Sequence, residues 1–406
     1  MRRRALYLSL WEELSRDKAM VFISGPRQAG KTTLAHIISK SFKNHLYFNW
    51  DIPRDRAMLF KDPSFFENME RKDSTTPLVI FDEIHKYKDW KNYLKGVYDQ
   101  FHETYEFLVS GSGRLDLFQK GGDSLAGRYF LFHLWPFTLS ELAGRRIPFE
   151  QFCNAPLHID THSSAETEEL WSGLSRLSGF PEPFLSGRER TYRRWANIYS
   201  QQLIREDIRD LTGIKSISEI ETLYFLLPSR IGSPLSIPSM ARDLKVSYNS
   251  VRNWLTLFER FFLTFQVSPW TEKISRAIQK EKKIYIWDFP RIEDPASRFE
   301  NMVASELYRA VTGWSDVGHG IFSLHFIRNK EKQEVDFLIA KNHKPFLLVE
   351  AKLSDPRPSS ALSKFQTALG VPAVQLTEGG DTFRIFRNGD QSILVAPAHI
   401  WIARLP

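Results

Sequence analysis

The stretch AMVFISGPRQAGKTTLAHIIS, residues 19–39, contains a short apolar run, a loop with two glycines and a second apolar pattern typical of a helix. The loop matches G-x-x-x-x-G-K-[ST] from Gly25 to Thr32. Glycines let backbone N–H groups turn toward a phosphate, and the N-terminus of the following helix favours the same negative charge. The stretch predicts a strand, a phosphate-binding loop and a helix. The alternative is a chance glycine turn.

The motif predicts ATP and Mg²⁺ as cofactors, because its residues suit contacts with the phosphates of a nucleotide and with the metal ion. Lys31 is expected to reach the β- and γ-phosphates, and the Thr32 hydroxyl to coordinate Mg²⁺. The predicted nucleotide-binding residues are Gly25, Pro26, Arg27, Gln28, Ala29, Gly30, Lys31, Thr32 and Thr33.

A second apolar strand ends in acid, in PLVIFDEIHKYKDW at residues 77–90. Asp82 is predicted to hold the water shell of Mg²⁺. Glu83 is predicted to polarise the attacking water, which hydrolysis needs and simple nucleotide binding does not. Together with the glycine loop, this pair favours an ATPase.

Three further apolar runs indicate more strands of the same sheet, in HLYFNWD (45–51), YEFLVSGSGRL (105–115) and RYFLFHLWPF (128–137). Apolar strands that alternate with helices predict a parallel sheet covered on both faces. Ser110, Gly111 and Ser112 end one of these strands. Ser110 either senses the γ-phosphate or lies at an ordinary exit from a strand.

Arg128, in SLAGRY, is a candidate arginine finger that acts in cis or across a subunit boundary. The alternative is an ordinary surface arginine. Arg205 and Arg209 are lesser candidates, because their spacing of four also suits a solvated helix face that pairs with Glu206 and Asp210.

The middle of the chain predicts a helical lid and then a helix-turn-helix. LSGFPEPFL and a long helical pattern fall within residues 151–215. SIPSMARDLKVSYNSVRNWLTLFERFFLTFQVSPW, residues 236–270, has the length and pattern of two helices joined by a tight turn and followed by a wing strand. The second helix would present to DNA the side chains of Tyr248, Asn249, Arg252 and Asn253. The alternative is a helical hairpin that only packs between domains.

The charge distribution favours DNA as a partner. The chain has a formal net charge of +7, and residues 240–283 hold nine basic and four acidic side chains. A short segment therefore carries most of the excess positive charge, which suits contacts with phosphates.

The rear of the chain places polar residues where a sheet should be apolar. RFENMVASELYRAV (298–311) predicts a helix, and EVDFLIA and LLVEAKL predict strands that carry Asp336 and Glu350 with Lys352. Residues i and i+2 share a face of a strand, so Glu350 and Lys352 project together, and Asp336 is expected to converge with them. Two carboxylates bind Mg²⁺ and a lysine positions water against phosphate. Glu300, on the helix, is a further candidate metal ligand.

Element order in this region matches the PD-(D/E)xK nuclease fold, with helix, three strands and helix. Two alternatives stay open. One is chance, since such pairs are common at sheet rims. The other is an inherited scaffold that does not cut and only grips DNA or a partner; Val335 stands where a proline often precedes the aspartate.

With these motifs placed, the chain resembles the prokaryotic AAA+ ATPases that carry a C-terminal domain of unknown function, number 4143. The resemblance rests on GPRQAGKTTL, LVIFDEIHKYKDW, LVSGSGRLDL, SLAGRY, GFPEPFL, FENMVASEL, EVDFLI and LLVEAKL. It implies an α/β fold: a P-loop AAA+-type parallel sheet with a helical lid, a winged-helix segment and a restriction-endonuclease-like C-terminal domain. The expected domains are 1–150, 151–215, 216–272 and 273–406. A homo-oligomer, with a hexamer as the family-level form, is also expected.

Composition sets the remaining expectations. The single cysteine, Cys153, excludes an internal disulfide and suits a reducing cytoplasm. No run of about 18 apolar residues occurs, so no membrane span is expected.

Three functions are consistent with these features. The leading one is an ATPase that binds DNA and couples hydrolysis to remodelling of a nucleoprotein or branched DNA. The second is an ATP-regulated, metal-dependent nuclease that uses Asp336, Glu350 and Lys352. The third is an ATP-driven oligomeric switch whose rear domain is only an interaction surface.

Overall fold

The computed structural model describes residues 4–111, 125–159, 165–208, 217–271, 281–380, 383–388 and 391–406. The chain forms two compact units: residues 1–136 with 260–262, and residues 137–259 with 263–406. Residues 137–150 fall within the expected first domain, and they belong to the second of these units.

In the part of the first unit that the structure describes, five parallel strands form the sheet: β1 Met20–Ser24, β2 His45–Asn49, β3 Leu78–Asp82, β4 Glu106–Ser110 and β5 Phe130–His133. Their order in the sheet is β2-β3-β4-β1-β5. The described helices of this unit are α1 Ala5–Asp17, α2 Lys31–Ser39, α3 Pro53–Lys61 and α4 Trp90–Phe101, with short 3₁₀ turns at Phe65–Asn68 and Ile84–Lys86. The predicted parallel P-loop sheet is confirmed.

Both faces of this sheet are buried. Side chains of successive strand residues point to opposite faces, so each strand can contribute to two cores. Phe22, Phe81 and Phe107 belong to one core, and Val21 and Ile80 belong to the other. Near-continuous apolar strands are typical of parallel sheets that helices cover on both sides. Because these strands are parallel, their C-terminal ends lie at one edge of the sheet. The glycine loop and the acidic pair follow strands at that edge.

Helices precede and flank the sheet of the second unit. They are α5 Leu139–Ala143, α6 Phe149–Asn154, α7 Ala165–Leu177, α8 Pro181–Ser186, α9 Glu189–Gln202 with a π-helical extension Leu203–Ile208, α10 Ile217–Leu226, α11 Ile237–Leu244, α12 Tyr248–Arg260, α13 Pro295–Asp316, α14 Ser360–Leu369 and α15 Ala398–Ile402. Short 3₁₀ turns lie at Leu227–Arg230 and Phe289–Arg291. Within the described ranges, no helix has both the length and the apolar character needed to cross a membrane.

Among the described residues, the sheet of the second unit contains eight strands in the order β12-β13-β11-β10-β9-β8-β6-β7. The strands are β6 Thr264–Pro269, β7 Lys283–Ile286, β8 Phe322–Arg328, β9 Glu334–Lys341, β10 Lys344–Lys352, β11 Ala373–Thr377, β12 Arg384–Asn388 and β13 Gln391–Pro397. Strands β8, β9 and β10 form an antiparallel meander, and β10 pairs with β11 in parallel.

The hairpin of β6 and β7 joins the helix-turn-helix region to this sheet. Strand β6 pairs with β7 in antiparallel fashion and with β8 in parallel. The expected boundary at residue 272 therefore lies between two strands of one sheet. A strand that has hydrogen-bonded neighbours on both sides cannot be assigned to a separate wing by local pattern alone.

Candidate functional site: the phosphate loop and a carboxylate cluster

The phosphate loop connects the end of β1 to the start of α2, and its shape depends on glycine. Gly25 has φ +147° and Gly30 has φ +101°. A Cβ on Gly25 would lie 2.2 Å from the carbonyl oxygen of Leu134, so no other residue fits there without movement. The first N–H groups of a helix lack partners within the helix and can bind an anion at its start, which here follows the loop.

Lys31 is held inside this loop. Its Nζ donates to the carbonyl oxygens of Gly25 at 2.9 Å and Pro26 at 2.7 Å, and the residue is buried. Thr32 and Thr33, the next residues of α2, are exposed. The loop thus presents a buried ammonium and two exposed hydroxyl groups beside a helix N-terminus.

Asp82 is the centre of a hydrogen-bond network at the C-terminal edge of the sheet. Its Oδ2 accepts from Thr32 Oγ1 at 2.8 Å and from the Tyr47 hydroxyl at 2.6 Å, while Oδ1 accepts from Ser110 Oγ at 2.5 Å. The parallel register explains this, because Asn49, Asp82 and Ser110 are aligned across β2, β3 and β4. Sequence reasoning anticipated Asp82 and Thr32 but missed Tyr47, which lies two residues before the end of its strand.

Glu83 follows Asp82 in a left-handed conformation, with φ +58°. Its N–H donates to the Ser110 carbonyl at 2.9 Å, which fixes the turn. Its carboxylate lies 3.3 Å from Lys86 Nζ and 3.6 Å from His85 Nε2. Burial raises the pKa of the Glu83 carboxyl, and the ammonium groups of Lys86 and Lys31 oppose that shift. A carboxylate with a raised pKa is a stronger base toward water.

These residues fit MgATP. Hard oxygen ligands suit Mg²⁺, and the Thr32 hydroxyl and the Asp82 carboxylate lie in direct contact beside the loop. The glycine loop, the start of α2 and Lys31 together provide N–H and ammonium donors for phosphate oxygens.

Arg128 is not brought to the phosphate loop. It lies two residues before β5, whose parallel pairing with β1 puts it at the edge of the sheet opposite the loop. Its guanidinium donates to Asp99 from Nε at 2.6 Å and from a terminal nitrogen at 3.1 Å. The prediction of a finger acting in cis is therefore wrong: a strand separates Arg128 from its own loop. A role across a subunit boundary stays a prediction.

The remaining arginine and sensor predictions are partly outside the described residues. Arg205 makes an ion pair with Glu221 at 2.5 Å. Arg209, Asp210 and Ser112, and the side chain of Glu206, lie outside the described residues.

A second polar cluster lies on β9 and β10 of the eight-stranded sheet. Glu350 is 2% exposed; its Oε1 lies 3.1 Å from Lys352 Nζ, and its Oε2 accepts from Ser359 Oγ at 2.6 Å. Asp336 Oδ2 accepts from the Ala351 N–H at 3.0 Å. The structure thus brings together Asp336, Glu350 and Lys352, as the strand pattern predicted.

Glu300, on α13, is connected to this cluster by Lys283, which contacts both Glu300 and Asp336. The sequence alone did not indicate that Lys283 belongs to the cluster. Lys283 Nζ lies 3.0 Å from Glu300, 2.8 Å from Glu334 and 3.5 Å from Asp336. The Tyr285 hydroxyl also donates to Glu300, at 2.8 Å. Glu334 was detectable, because it stands two residues before Asp336 on one strand face. Lys283 was counted among the cations facing DNA, but its side chain is fully buried.

Burial and neighbouring charges shift the pKa values of several groups in this cluster. Burial raises the pKa of Glu300, and the charge of Asp336 adds to that effect. Burial also raises the pKa of Glu350. Burial alone would lower the pKa of Lys283, but the surrounding carboxylates outweigh it and hold that pKa above its ordinary value. Lys283 therefore remains charged.

Among the described residues, no group of three or more histidine, cysteine, aspartate or glutamate side chains is placed to hold a metal ion. The ligation of Mg²⁺ by Glu300, Asp336 and Glu350 stays a prediction. In this structure the ammonium of Lys283 contacts both Glu300 and Asp336.

The helix-turn-helix region presents the predicted polar face. Helix α11 ends at Leu244, Lys245 takes a left-handed conformation with φ +55°, and α12 follows. Its predicted outward residues, which are Tyr248, Asn249, Arg252 and Asn253, are all exposed. Its opposite face buries Val251, Trp254, Leu255 and Phe258.

A groove of about 660 Å³ lies between α12 and the β6–β7 hairpin. Charged side chains of both signs line it: Arg252, Lys282, Glu259 and Glu281. Of the basic residues counted in this region, Lys273, Arg276 and Lys280 lie outside the described residues.

Family comparisons divide the chain into three matched regions. Residues 17–143 match an AAA domain, residues 169–289 match a domain of unknown function (DUF8612), and residues 297–399 match a second domain of unknown function (DUF4143).

Curated relatives include an uncharacterized protein of Mycobacterium tuberculosis and one of Mycobacterium bovis, each 26% identical over 269 residues. The match covers 66% of this chain and 54% of each relative, so the chain spans about half the length of these proteins.

Solved structures with similarity include a Walker-type ATPase of Pyrococcus abyssi, 15% identical, with 72% of this chain and 95% of that chain covered and a TM-score of 0.44. Another is the ORC1 protein of Aeropyrum pernix in complex with DNA, 12% identical, with 75% and 93% covered and a TM-score of 0.36. The chain therefore matches a family model for an AAA domain in its N-terminal part and one for the DUF4143 domain in its C-terminal part.

Proposed function

We propose that this protein binds and hydrolyses ATP with Mg²⁺, binds DNA, and couples hydrolysis to remodelling of a nucleoprotein or branched DNA. The observation that carries the proposal is the network around Asp82, which joins the start of α2 to β2 and β4. The Asp82 carboxylate accepts hydrogen bonds from Thr32, from Tyr47 on β2 and from Ser110 on β4. A change in the position of Thr32 would therefore alter contacts on three neighbouring strands. Such a network is suited to transmit the state of the nucleotide.

The chain's own residues divide the chemistry between them. Lys31 and the amides at the start of α2 bind the phosphate oxygens, and Thr32 with Asp82 would hold Mg²⁺. The bound ion would supply charge neutralisation at the phosphates. Glu83 orients a water molecule and accepts its proton, since its carboxylate lies at the same edge of the sheet with a raised pKa.

DNA binding is supported by the exposed face of α12. Tyr248, Asn249, Arg252 and Asn253 are donors of the kinds that contact phosphates and base edges. The apolar face of α12 is buried, so the polar face is the one left for a partner.

Self-association belongs to the same proposal. Because Arg128 lies at the edge opposite its own loop, a finger role requires a second copy of the chain. Its ion pair with Asp99 is partly exposed and would have to be exchanged for a phosphate contact. A homo-oligomer, with a hexamer as the expected form, would provide that geometry.

The decisive experiment measures ATP turnover with and without linear, branched and single-stranded DNA. Turnover is expected to rise with one of these DNAs and to be abolished in Lys31→Ala. The salt dependence of DNA binding should be reduced by about 0.9 in slope by Arg252→Ala, because one phosphate contact is lost. Arg190→Ala, a change at an exposed arginine on α9, is the matched control. Binding that is insensitive to salt would contradict the proposal.

A second candidate function is an ATP-driven switch whose rear domain is an interaction surface. It is favoured by the buried Lys283, which occupies the centre of the carboxylate cluster. The two functions differ in turnover: a switch hydrolyses ATP slowly and at the same rate with or without any nucleic acid.

A further inference from the structure

We propose that the carboxylate cluster of the second unit is a metal-independent ion cluster, in which the Lys283 ammonium stands in place of a divalent cation and prevents nuclease chemistry. The cluster consists of Lys283, Tyr285, Glu300, Glu334, Asp336, Glu350 and Lys352. This inference goes beyond the proposed ATPase and does not depend on it.

The first support is the complete pairing of Lys283. An ammonium group has three N–H donors, and Nζ has three carboxylate neighbours within 3.5 Å. The side chain is 0% exposed. Moving this ammonium away from the cluster would break all three ion pairs. The free-energy cost would be high, because the carboxylates would stay buried without a counter-charge.

The backbone also holds Lys283 in place. Lys283 is opposite Val267 in the β6–β7 ladder and bridges to Pro234 on the other side. The neighbouring Lys282 carbonyl accepts from the Leu235 N–H at 2.8 Å. Because both sides of β7 are hydrogen-bonded here, the lysine cannot swing away with its strand.

The second support is that both carboxylate oxygens of Asp336 and both of Glu350 already contact donor groups. Asp336 contacts Lys283 through Oδ1 and the Ala351 N–H through Oδ2. Glu350 contacts Lys352 through Oε1 and Ser359 through Oε2. Magnesium needs ligand oxygens at about 2.0–2.1 Å in near-octahedral geometry, so its binding would require breaking several of these contacts and placing it beside an ammonium.

The cluster then has a structural role. Lys283 comes from the hairpin that follows the helix-turn-helix, whereas Glu300 comes from α13 and Asp336 from β9. The ion cluster therefore ties the hairpin to the sheet and to α13 within the second unit. Breaking a buried ion network by removing one partner is costly, because the remaining charges stay buried without compensation.

The test measures Mn²⁺ binding to this 406-residue chain without nucleotide, by calorimetry and electron paramagnetic resonance. Asp82→Asn serves as the background, so that the phosphate loop does not contribute. The protein with Lys283 intact is expected to show no saturable binding at the cluster. Lys283→Ala, which removes the ammonium that contacts Glu300 and Asp336, is expected to gain one saturable Mn²⁺ site. Lys344→Ala, a change at an exposed lysine on β10, should leave Mn²⁺ binding unchanged.

Two results would overturn the inference. One is saturable Mn²⁺ binding with Lys283 intact that Asp336→Asn or Glu350→Gln removes. The other is Mg²⁺- or Mn²⁺-dependent cleavage of plasmid, branched or single-stranded DNA that Lys352→Ala abolishes. Both use the protein with Lys283 in place, so they remain decisive if Lys283→Ala does not fold. Loss of ATP turnover in any variant would bear on the proposed ATPase and not on this cluster.

Discussion

Replacement of Gly25 by alanine is expected to disrupt the phosphate loop while leaving the rest of the chain folded. The added Cβ would lie 2.2 Å from the Leu134 carbonyl oxygen and 3.1 Å from its carbon. Both atoms are backbone, so no side-chain rotation relieves the contact. The backbone must shift by about 0.8 Å merely to reach the 3.0 Å that real Cβ atoms respect.

The expected cost has two parts. The φ of +147° at Gly25 lies in a region that is nearly exclusive to glycine, which costs an L-residue about 1–3 kcal/mol. The steric overlap adds about 1–3 kcal/mol of strain if the loop stays in place. Since a domain is stable by only about 5–15 kcal/mol, we expect the loop to change conformation rather than bear the full cost. The phosphate-binding amides would then be misplaced.

The assay combines urea unfolding, followed by circular dichroism, with calorimetric titration of ATP. Gly25→Ala should lower the free energy of unfolding by about 2–6 kcal/mol or abolish ATP binding without unfolding. Gly96→Ala is the matched control, because Gly96 lies within α4 with nothing within 4 Å of the added Cβ. That change should stabilise the protein by about 0.5–1 kcal/mol. If Gly25→Ala matches wild type in both stability and ATP affinity, the reasoning is refuted.

Three further predictions concern single side chains. Tyr47→Phe removes the hydroxyl that donates to Asp82, so kcat for ATP should fall about 5- to 10-fold with little change in ATP affinity, and an unchanged kcat would contradict this. Glu83→Gln should retain ATP binding and lower turnover by ~10²–10⁴-fold. In the wild-type protein, turnover should fall as the pH decreases through the pKa of Glu83. The midpoint of that fall should lie above the ordinary pKa of glutamate, because burial raises the pKa of Glu83. The buried Glu306 has its pKa raised to about 7 by burial, so the folded state keeps a proton that the unfolded chain loses. The free energy of unfolding should therefore fall by about 3 kcal/mol as pH rises from about 4.5 to 7, and Glu306→Gln should abolish that dependence in urea titrations at several pH values.

The sequence by itself determined the local elements of both units. The phosphate loop, the strand that ends in Asp82 and the pairing of Glu350 with Lys352 on one strand face all follow from short-range patterns. Spacing within a strand or a helix start sets these relations, so no long-range contact is needed to predict them. The element bounds differ from the expected ones by only a few residues, as at β3, Leu78–Asp82.

The order of strands decided what the sequence did not show. Tyr47 reaches Asp82 only because β2 lies next to β3, and Arg128 lies far from its loop only because β5 pairs in parallel with β1. Lys283 enters the carboxylate cluster because its hairpin joins the second sheet. Such neighbours depend on which strands pair across long stretches of chain, and side-chain periodicity carries no information about that pairing.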